Sequence, residues 1–395
     1  MSSNLSYYIF YNNIIGSEYP VDSRTKLTRK IKNKAKEIGF DLVGITSADP
    51  FSKAYQRLKS REISEFMDHD LEKITTPTIH LKEAKSIIAL ALSYAVSDKI
   101  KDKDQYISLY ARGSDYHQVI KAKMKRLVSF LSTLKDNVKT ICYSDTGSLL
   151  DREVAARAGL GWIGKNNNLI NPEYGSYLIL GEIITDLKLS YDSPIKNRCS
   201  NCELCLNSCP TGALNKAHNL KPEKCLSFLT QKKGILKENE RKSIFKNLWG
   251  CDSCLQVCPY NKNIPTDLHQ EFKPVLKGDI KQVLSFSKNS LPDEWKKSAL
   301  YWRGLRILKR NSLINIGNNG NNVYTPIVKK YLKNPSPVLR AYAVWALGEV
   351  EKKKETLDLI KNILIKEKDK RVINEIYNLI KKINQGGNSN ESNHQ

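Results

Sequence analysis

Eight of the nine cysteines of this 395-residue chain lie in one stretch, from Cys199 to Cys258. The first half of the stretch follows the spacing C-x2-C-x2-C-x3-C-P, which is typical of bacterial ferredoxins with two [4Fe-4S] clusters. The second half repeats the ending C-x2-C-x3-C-P, after a first cysteine that stands apart. This internal symmetry predicts two cubic clusters, and hence a protein that transfers single electrons.

The spacing also predicts which thiolates share a cluster, because the fourth cysteine of each run in such ferredoxins binds the other cluster. The expected ligands are Cys199, Cys202, Cys205 and Cys258 for cluster 1 and Cys209, Cys225, Cys251 and Cys254 for cluster 2. Two zinc sites with four cysteines each are the alternative, and the paired Cys-Pro endings favour clusters. Cys142 stands alone and is expected to be a small core residue.

The segment before the cysteines has the pattern of helices packed on a sheet. Helices are expected over residues 26–38 and 114–134, and strands over residues 40–45, 86–95 and 140–143. Glycines recur between residues 145 and 185. They would let the backbone approach a flat ligand closely, or they serve ordinary turns.

The end of the chain is helical in pattern and basic. Residues 339–350 resemble residues 371–383, which predicts paired-helix repeats of the HEAT kind. Residues 271–384 hold 24 Lys or Arg against 11 Asp or Glu, and the whole chain has a formal charge of +23. This charge favours a polyanionic partner, with nucleic acid first, or reflects a compositional bias spread over solvated faces.

Together these patterns predict an α+β multidomain protein. The expected layout is an N-terminal arm (1–26), an α/β catalytic domain (27–190), a bacterial-ferredoxin-like two-cluster module (191–265), a HEAT-like helical domain (290–384) and a disordered tail (385–395). No stretch is apolar and long enough to cross a bilayer, and residues 7–15 lack the features of a secretion signal, so we expect a cytoplasmic monomer. No P-loop or dinucleotide-binding fingerprint supports ATP or NAD chemistry.

Several segments resemble the epoxyqueuosine reductase family, over residues 27 to about 347. They are residues 110–117 (YARGSDYH), Asp145-Thr146 with Arg152, 157–166 (RAGLGWIGKN), 174–176 (YGS), 180–182 (LGE) and 209–213 (CPTGA). The resemblance implies that the chain reduces epoxyqueuosine to queuosine at the wobble position of tRNA with a GUN anticodon. It also implies that cobalamin binds base-off in the α/β domain and receives electrons from the two clusters. The electron donor is left unidentified.

The resemblance further implies roles for particular residues. Asp145 would contact the cofactor and protonate the departing epoxide oxygen, which requires burial to raise its pKa well above about 3.9. Capping of the next helix is the alternative role for Asp145. The other implied cofactor contacts are Arg152, Trp162, Lys165, Asn166, Ser176, Ser227 and Gln231.

Cations beside aromatic residues at the start of the helical end predict the contact with tRNA. These residues are Arg303, Arg306, Lys309, Arg310 and Asn311, and a solvated helix face is the alternative reading. His117 is expected to lie on a helix face, because the cobalamin signature Asp-x-His-x-x-Gly fails at Ile120.

Two other functions remain open from the sequence. One is a reductive dehalogenase-like enzyme that uses cobalamin and two clusters. The other is a non-catalytic, ferredoxin-type electron carrier fused to a scaffold that binds nucleic acid.

Overall fold

The computed structural model describes residues 23–97, 105–145, 147–351 and 354–387. Residues 1–22 of the expected arm, Thr146 and residues 388–395 of the expected tail lie outside this range. Within it, no helix has both the length and the apolar character needed to cross a membrane.

The N-terminal part packs helices on a small sheet, as the sequence predicts. Its first helix begins at Ser23, inside the expected arm, and ends before Gly39, whose φ of +99° suits glycine. The elements are α1 (Ser23–Ile38), β1 (Leu42–Ser47), α2 (Ser52–Lys59), α3 (Leu71–Thr75), α4 (Pro77–His80), β2 (Ser86–Ser93), β3 (Tyr106–Ile107), α5 (Tyr116–Leu131), β4 (Thr140–Tyr143), α6 (Asp151–Arg157), β5 (Trp162–Ile163), β6 (Leu169–Ile170) and β7 (Leu178–Thr185).

The main sheet has the strand order β1-β2-β7-β4, and every pairing in it is antiparallel. The expected α/β domain is therefore an α+β unit, because an apolar run reveals a strand but not its direction. All of β2 is buried, with Ile88 and Leu90 in a core shared with α1 and α5, and Ile87 and Ala89 in a core shared with α2 and α6. Cys142 is exposed on the edge strand β4 and is not the core residue expected.

The cysteine-rich part consists of short elements joined by loops. They are α7 (Leu204–Asn207), β8 (Leu214–Lys216), β9 (Asn219–Leu220), α8 (Leu226–Leu229), α9 (Glu238–Ile244), β10 (Asn247–Trp249) and α10 (Ser253–Gln256). Strand β10 pairs in parallel with β3, which attaches this part to the N-terminal part.

Helices α11 to α17 form the end of the chain. They are α11 (Ile280–Ser285), α12 (Asp293–Lys296), α13 (Leu305–Asn319), α14 (Thr325–Tyr331), α15 (Pro337–Val350), α16 (Lys354–Lys366) and α17 (Lys370–Gly387), the last of which continues past residue 384 into the expected tail. The largely buried α15 packs against α13, α14 and α17. Leu226 and Phe228 of α8 belong to the same core, so the apolar packing crosses the expected boundary at residue 265.

Candidate active site

The thiols of the first three-cysteine run lie beside the last cysteine of the second run. Burial raises the pKa of Cys205, and the neighbouring thiols of Cys199, Cys258 and Cys202 raise it further. The pKa of Cys258 is raised by burial and then by Cys199 and Cys202. These four side chains are therefore mutual neighbours, in the set that the crossed ferredoxin spacing predicts for cluster 1.

The other four cysteines form a second group of neighbours. Burial raises the pKa of Cys225, with contributions from Cys251 and Cys209. The pKa of Cys254 is raised by burial and by Cys251 and Cys225. Among the described residues, no three Cys, His, Asp or Glu side chains converge on the position of a single metal ion. The two groups have the composition predicted for two clusters, and the ligand assignment remains a prediction.

Trp162 lies against a predicted cluster ligand. Its side chain is 3% exposed, and its indole Nε1 donates a hydrogen bond to the Cys199 sulfur at 3.4 Å. Trp162 therefore has a structural role beside Cys199, and its corrin contact stays a prediction. A hydrogen bond to a cluster sulfur also tunes the reduction potential of the cluster.

Asn166 and Ser176 are also buried, and they hold the cysteine-rich part in place. Asn166 Nδ2 donates to the backbone oxygen of Cys254 at 3.4 Å. Ser176 binds Asn261, whose Oδ1 accepts the Ser176 backbone N–H at 2.7 Å. These bonds give Asn166 and Ser176 a structural role, and their cofactor contacts stay predictions.

Asp145 lies just after β4, in a left-handed backbone conformation with φ of 55°. Its backbone N–H donates to Asp151 Oδ2 at 2.9 Å, while its own side chain is 58% exposed. Asp145 does not cap α6, because the residue before that helix is Leu150. The aspartate that the sequence selects is thus anchored through its backbone and presents its carboxylate to solvent.

Two side chains from the start of α5 contact the Asp145 carboxylate. The Tyr116 hydroxyl donates a hydrogen bond to Asp145 Oδ2. His117 Nε2 lies 3.3 Å from the same oxygen, and His117 Nδ1 lies 2.8 Å from Asp115 Oδ1. The sequence suggested only a helix-face role for His117, and nothing in it placed Tyr116 beside Asp145.

The proton of this group is held on the histidine. Burial lowers the pKa of His117, but its hydrogen bond to Asp115 and the nearby Asp145 carboxylate outweigh burial and raise the pKa to about 9. Burial raises the pKa of Asp145, but His117 and Tyr116 outweigh burial, so its pKa lies below the ordinary value. The imidazolium stabilises the Asp145 carboxylate, and a pKa raised by burial against the cofactor stays a prediction.

A second pair of carboxyl groups lies behind Asp145. Glu182 on β7 is 1% exposed, and burial followed by the charge of Asp151 raises its pKa well above the ordinary value. Burial also raises the pKa of Asp151, to about 6. Asp151 Oδ1 and Glu182 Oε1 are buried without a hydrogen-bond partner among the described residues. Each carboxyl group shifts the pKa of the other, so one proton shared between them would relieve both.

The loop between β5 and β6 offers polar groups that fit a large cofactor bearing amide groups. Asn167 has a left-handed φ of 61°, and its buried Nδ2 has no hydrogen-bond partner in the described structure. The exposed Arg152 donates from Nη1 to the Asn167 backbone oxygen, and the charge of Arg152 also acts on Asp145. A buried donor without a partner costs about 1–3 kcal/mol, so an acceptor from a ligand would stabilise this loop.

A line of aromatic side chains connects Asp145 with the second cysteine group. The ring of Tyr110 lies 5.9 Å from that of Tyr116, and its hydroxyl accepts a hydrogen bond from Trp249 Nε1 at 3.0 Å. The Ser227 side chain lies close enough to Tyr110 to lower its pKa, and Ser227 lies two positions after Cys225. The candidate proton donor and the candidate cluster 2 ligands therefore share one continuous packed region.

The predicted tRNA contacts divide into accessible and buried residues. Arg306 is exposed, and Arg303 and Lys309 are half-buried. Arg310 and Asn311 are fully buried, and they donate to backbone oxygens that include Leu229 O, Thr230 O and Leu248 O. The predicted RNA contacts at Arg310 and Asn311 are wrong, because both side chains hold α13 to the cysteine-rich part.

Two family profiles match the chain. One described as "Epoxyqueuosine reductase QueG, DUF1730" matches residues 75–146, and one described as "4Fe-4S double cluster binding domain" matches residues 198–261. The second match favours iron-sulfur clusters over the zinc alternative.

Similar proteins and structures carry the same family name. The chain is 36% identical to the epoxyqueuosine reductase of Bacillus subtilis over 367 residues, which are 89% of this chain and 94% of that protein. It is 34% identical to the Staphylococcus aureus enzyme over 82% of this chain and 89% of that one. A crystal structure of epoxyqueuosine reductase with an epoxyqueuosine-modified tRNA-Tyr stem loop superimposes with a TM-score of 0.86, at 35% identity, over 91% of this chain and 99% of that chain. This chain therefore belongs to the epoxyqueuosine reductase family.

Proposed function

We propose that this chain reduces epoxyqueuosine to queuosine at the wobble position of tRNA with a GUN anticodon. Family membership supports the reaction, and one structural observation carries it. The Asp145 carboxylate, paired with His117, lies in one packed region with the Cys225 segment, through Tyr116, Tyr110 and Ser227. A source of protons and a path for electrons therefore meet at the same place.

The reduction of an epoxide to an alkene requires both protons and electrons. Removing the epoxide oxygen as water breaks two C–O bonds, forms one C=C bond, and consumes two electrons and two protons. Asp145 Oδ2 is the proposed donor to the departing oxygen, and His117 Nε2, 3.3 Å away, supplies the proton to Asp145. A reservoir with a pKa of about 9 remains protonated at neutral pH.

The proposed cofactors are two [4Fe-4S] clusters and base-off cobalamin. Bound cobalamin would supply a reduced cobalt that passes electrons to the substrate. The residues that keep their proposed cofactor role are Asp145, Arg152, Trp162, Lys165, Asn166, Ser176, Ser227 and Gln231. The unpartnered Asn167 amide joins them.

The RNA side of the proposal rests on the basic helical end. Arg303, Arg306 and Lys309 are the proposed RNA contacts that remain after the buried pair is removed. We keep the HEAT-like character of these helices, the division into domains, a cytoplasmic location and a monomeric state as parts of the proposal. The electron donor is not assigned.

The test is conversion of epoxyqueuosine-containing tRNA by anaerobically purified, cluster-loaded protein with added cobalamin and a chemical reductant. Nucleoside analysis by mass spectrometry should detect queuosine. Asp145→Asn should lose at least about 100-fold in rate with clusters and RNA affinity retained. Asp136→Asn, at an exposed position in a turn, is the matched control. Full activity of Asp145→Asn would refute the assigned proton donor, and no queuosine from the wild type would refute the function.

A further inference from the structure

Three side chains from two distant parts of the sequence form an exposed ledge, which we define as Phe66, Trp302 and Arg303. Trp302 is 53% exposed and Phe66 is 41% exposed, and their ring centroids lie 6.2 Å apart. The Arg303 guanidinium lies over both rings, 3.7 Å from the centre of Trp302 and 4.6 Å from that of Phe66. Buried Phe228 supports Phe66 from below at 4.7 Å.

The ledge is held in one geometry before any ligand arrives. The Trp302 indole Nε1 donates to Gln231 Oε1 at 3.1 Å. Gln231 Nε2 in turn donates to the Ser227 backbone oxygen at 2.8 Å. Arg303 Nε is buried and has no hydrogen-bond partner within the described ranges. An exposed indole fixed by its own N–H and a cation with an unused donor are the properties of a binding surface and not of a packed core.

The ledge is continuous with the active site. Ser227 lies near Tyr110, the Tyr110 ring contacts Tyr116, and Tyr116 donates a hydrogen bond to Asp145. A molecule on the ledge is therefore connected to the candidate proton donor through a short series of side chains.

We infer that the ledge stacks one unpaired nucleobase of the anticodon loop, next to the base that is reduced. This inference rests on the proposed function and specifies its RNA contact. Recognition of single-stranded RNA uses unstacked bases placed on aromatic rings and guanidinium planes. The net charge of +23 favours a nucleic acid over another apolar surface as the occupant. Stacking makes no hydrogen bonds to base edges, so the ledge accepts more than one base.

The experiment uses the full-length, cluster-loaded protein and an RNA hairpin with a GUA anticodon and an unmodified wobble guanosine. 2-Aminopurine is placed at each loop position in turn, and its fluorescence falls when it stacks. The wild type should quench the probe at one position near the wobble base. Trp302→Ala should abolish this quenching and weaken hairpin binding about 5- to 150-fold, the range for loss of one base–aromatic stack. Trp302→Phe should retain part of both effects.

Controls separate stacking from folding and from general charge. Tyr377→Ala removes an aromatic side chain that is 57% exposed on α17 and should leave binding unchanged. Arg303→Lys keeps the charge but loses the plane, and it should weaken binding without changing its salt dependence. Iron content and cluster absorbance of each variant report folding.

The outcomes decide between the two proposals. Wild-type quenching and affinity in Trp302→Ala would overturn the ledge, even if queuosine is formed. Equal weakening by Tyr377→Ala would overturn it as well. Trp302-dependent quenching in a protein that fails to form queuosine would support the ledge and contradict the proposed reaction.

Discussion

Replacing His117 by Asn should remove the proton reservoir and leave the local fold in place. The Asn amide can still donate to Asp115, which His117 Nδ1 contacts at 2.8 Å, but it cannot reach Asp145 as Nε2 does. We expect kcat to fall about 10²- to 10⁴-fold, the usual contribution of a positioned acid or base. In the wild type, kcat should decline as the pH rises through about 9, and this decline should be absent in the variant.

The contact between His117 and Asp145 also contributes to the free energy of unfolding, and the direction of its pH dependence can be derived. The pKa of His117 rises from 6.5 to about 9 in the fold, so the stabilisation is fully present below pH 6.5 and is lost as the pH rises through about 9. The difference corresponds to about 3 kcal/mol if unscreened. Because the Asp145 carboxylate is 58% exposed, screening reduces this to roughly 1–2 kcal/mol.

The assay is a pH–rate profile of cluster- and cobalamin-loaded enzyme at saturating tRNA, with thermal unfolding at pH 6.5 and pH 9.5. His117→Asn should lower the unfolding temperature at pH 6.5 and change it little at pH 9.5. The exposed His69→Asn is the matched control and should behave as the wild type. A basic limb near pH 9 that persists in His117→Asn would refute the reservoir, since another group would then carry the proton.

Three further substitutions test the site. Arg306→Gln, at an exposed position on α13, should weaken RNA binding. Loss of one phosphate contact should reduce the slope of the logarithm of the RNA-binding constant against the logarithm of the salt concentration by about 0.7–0.9. Fluorescence anisotropy at several salt concentrations measures this slope. Arg310→Met should leave the backbone carbonyls of Leu229 and Lys232 without their donor, at about 1–3 kcal/mol each, and lower the unfolding temperature. Normal stability with lost RNA affinity would contradict the structural role of Arg310. Trp162→Phe removes the N–H that donates to the Cys199 sulfur and should therefore lower the reduction potential of cluster 1. A redox titration followed by electron paramagnetic resonance measures this potential. An unchanged potential would show that the hydrogen bond has no effect on the cluster.

The sequence predicted the features that depend on local spacing. The cysteine runs select their cofactor from a few neighbouring positions, and β4 over residues 140–143 was predicted to the residue. The contact of Asp145 with Tyr116 and His117 could not be predicted, because it forms where the start of α5 meets the end of β4. The spacing of residues along the chain does not show that these two elements are in contact.

The wrong assignment of Arg310 and Asn311 has a specific cause. Cations on a helix usually mark the solvated face, but α13 is buried around most of its circumference, with residues 310–317 all inaccessible. Its polar residues therefore point into the protein, where they bond to backbone oxygens of another segment. The sequence does not reveal which segment supplies these backbone oxygens, because every residue type carries a backbone oxygen.

The segment between Cys225 and Cys251 gives these observations a common explanation. It is the insert that separates the second cysteine run from the ferredoxin spacing, and its residues Leu226, Leu229 and Ile244 lie in the core of the terminal helices. Arg310 and Asn311 bond to the backbone of the same insert. A buried polar group without its partner is costly, so these bonds define one position of the cysteines relative to the helices. The insert also carries Ser227 and Gln231, which lie between Tyr110 and Trp302. The departure from ferredoxin spacing therefore adds the segment that joins the proposed proton donor, the proposed cluster 2 ligands and the proposed RNA contact.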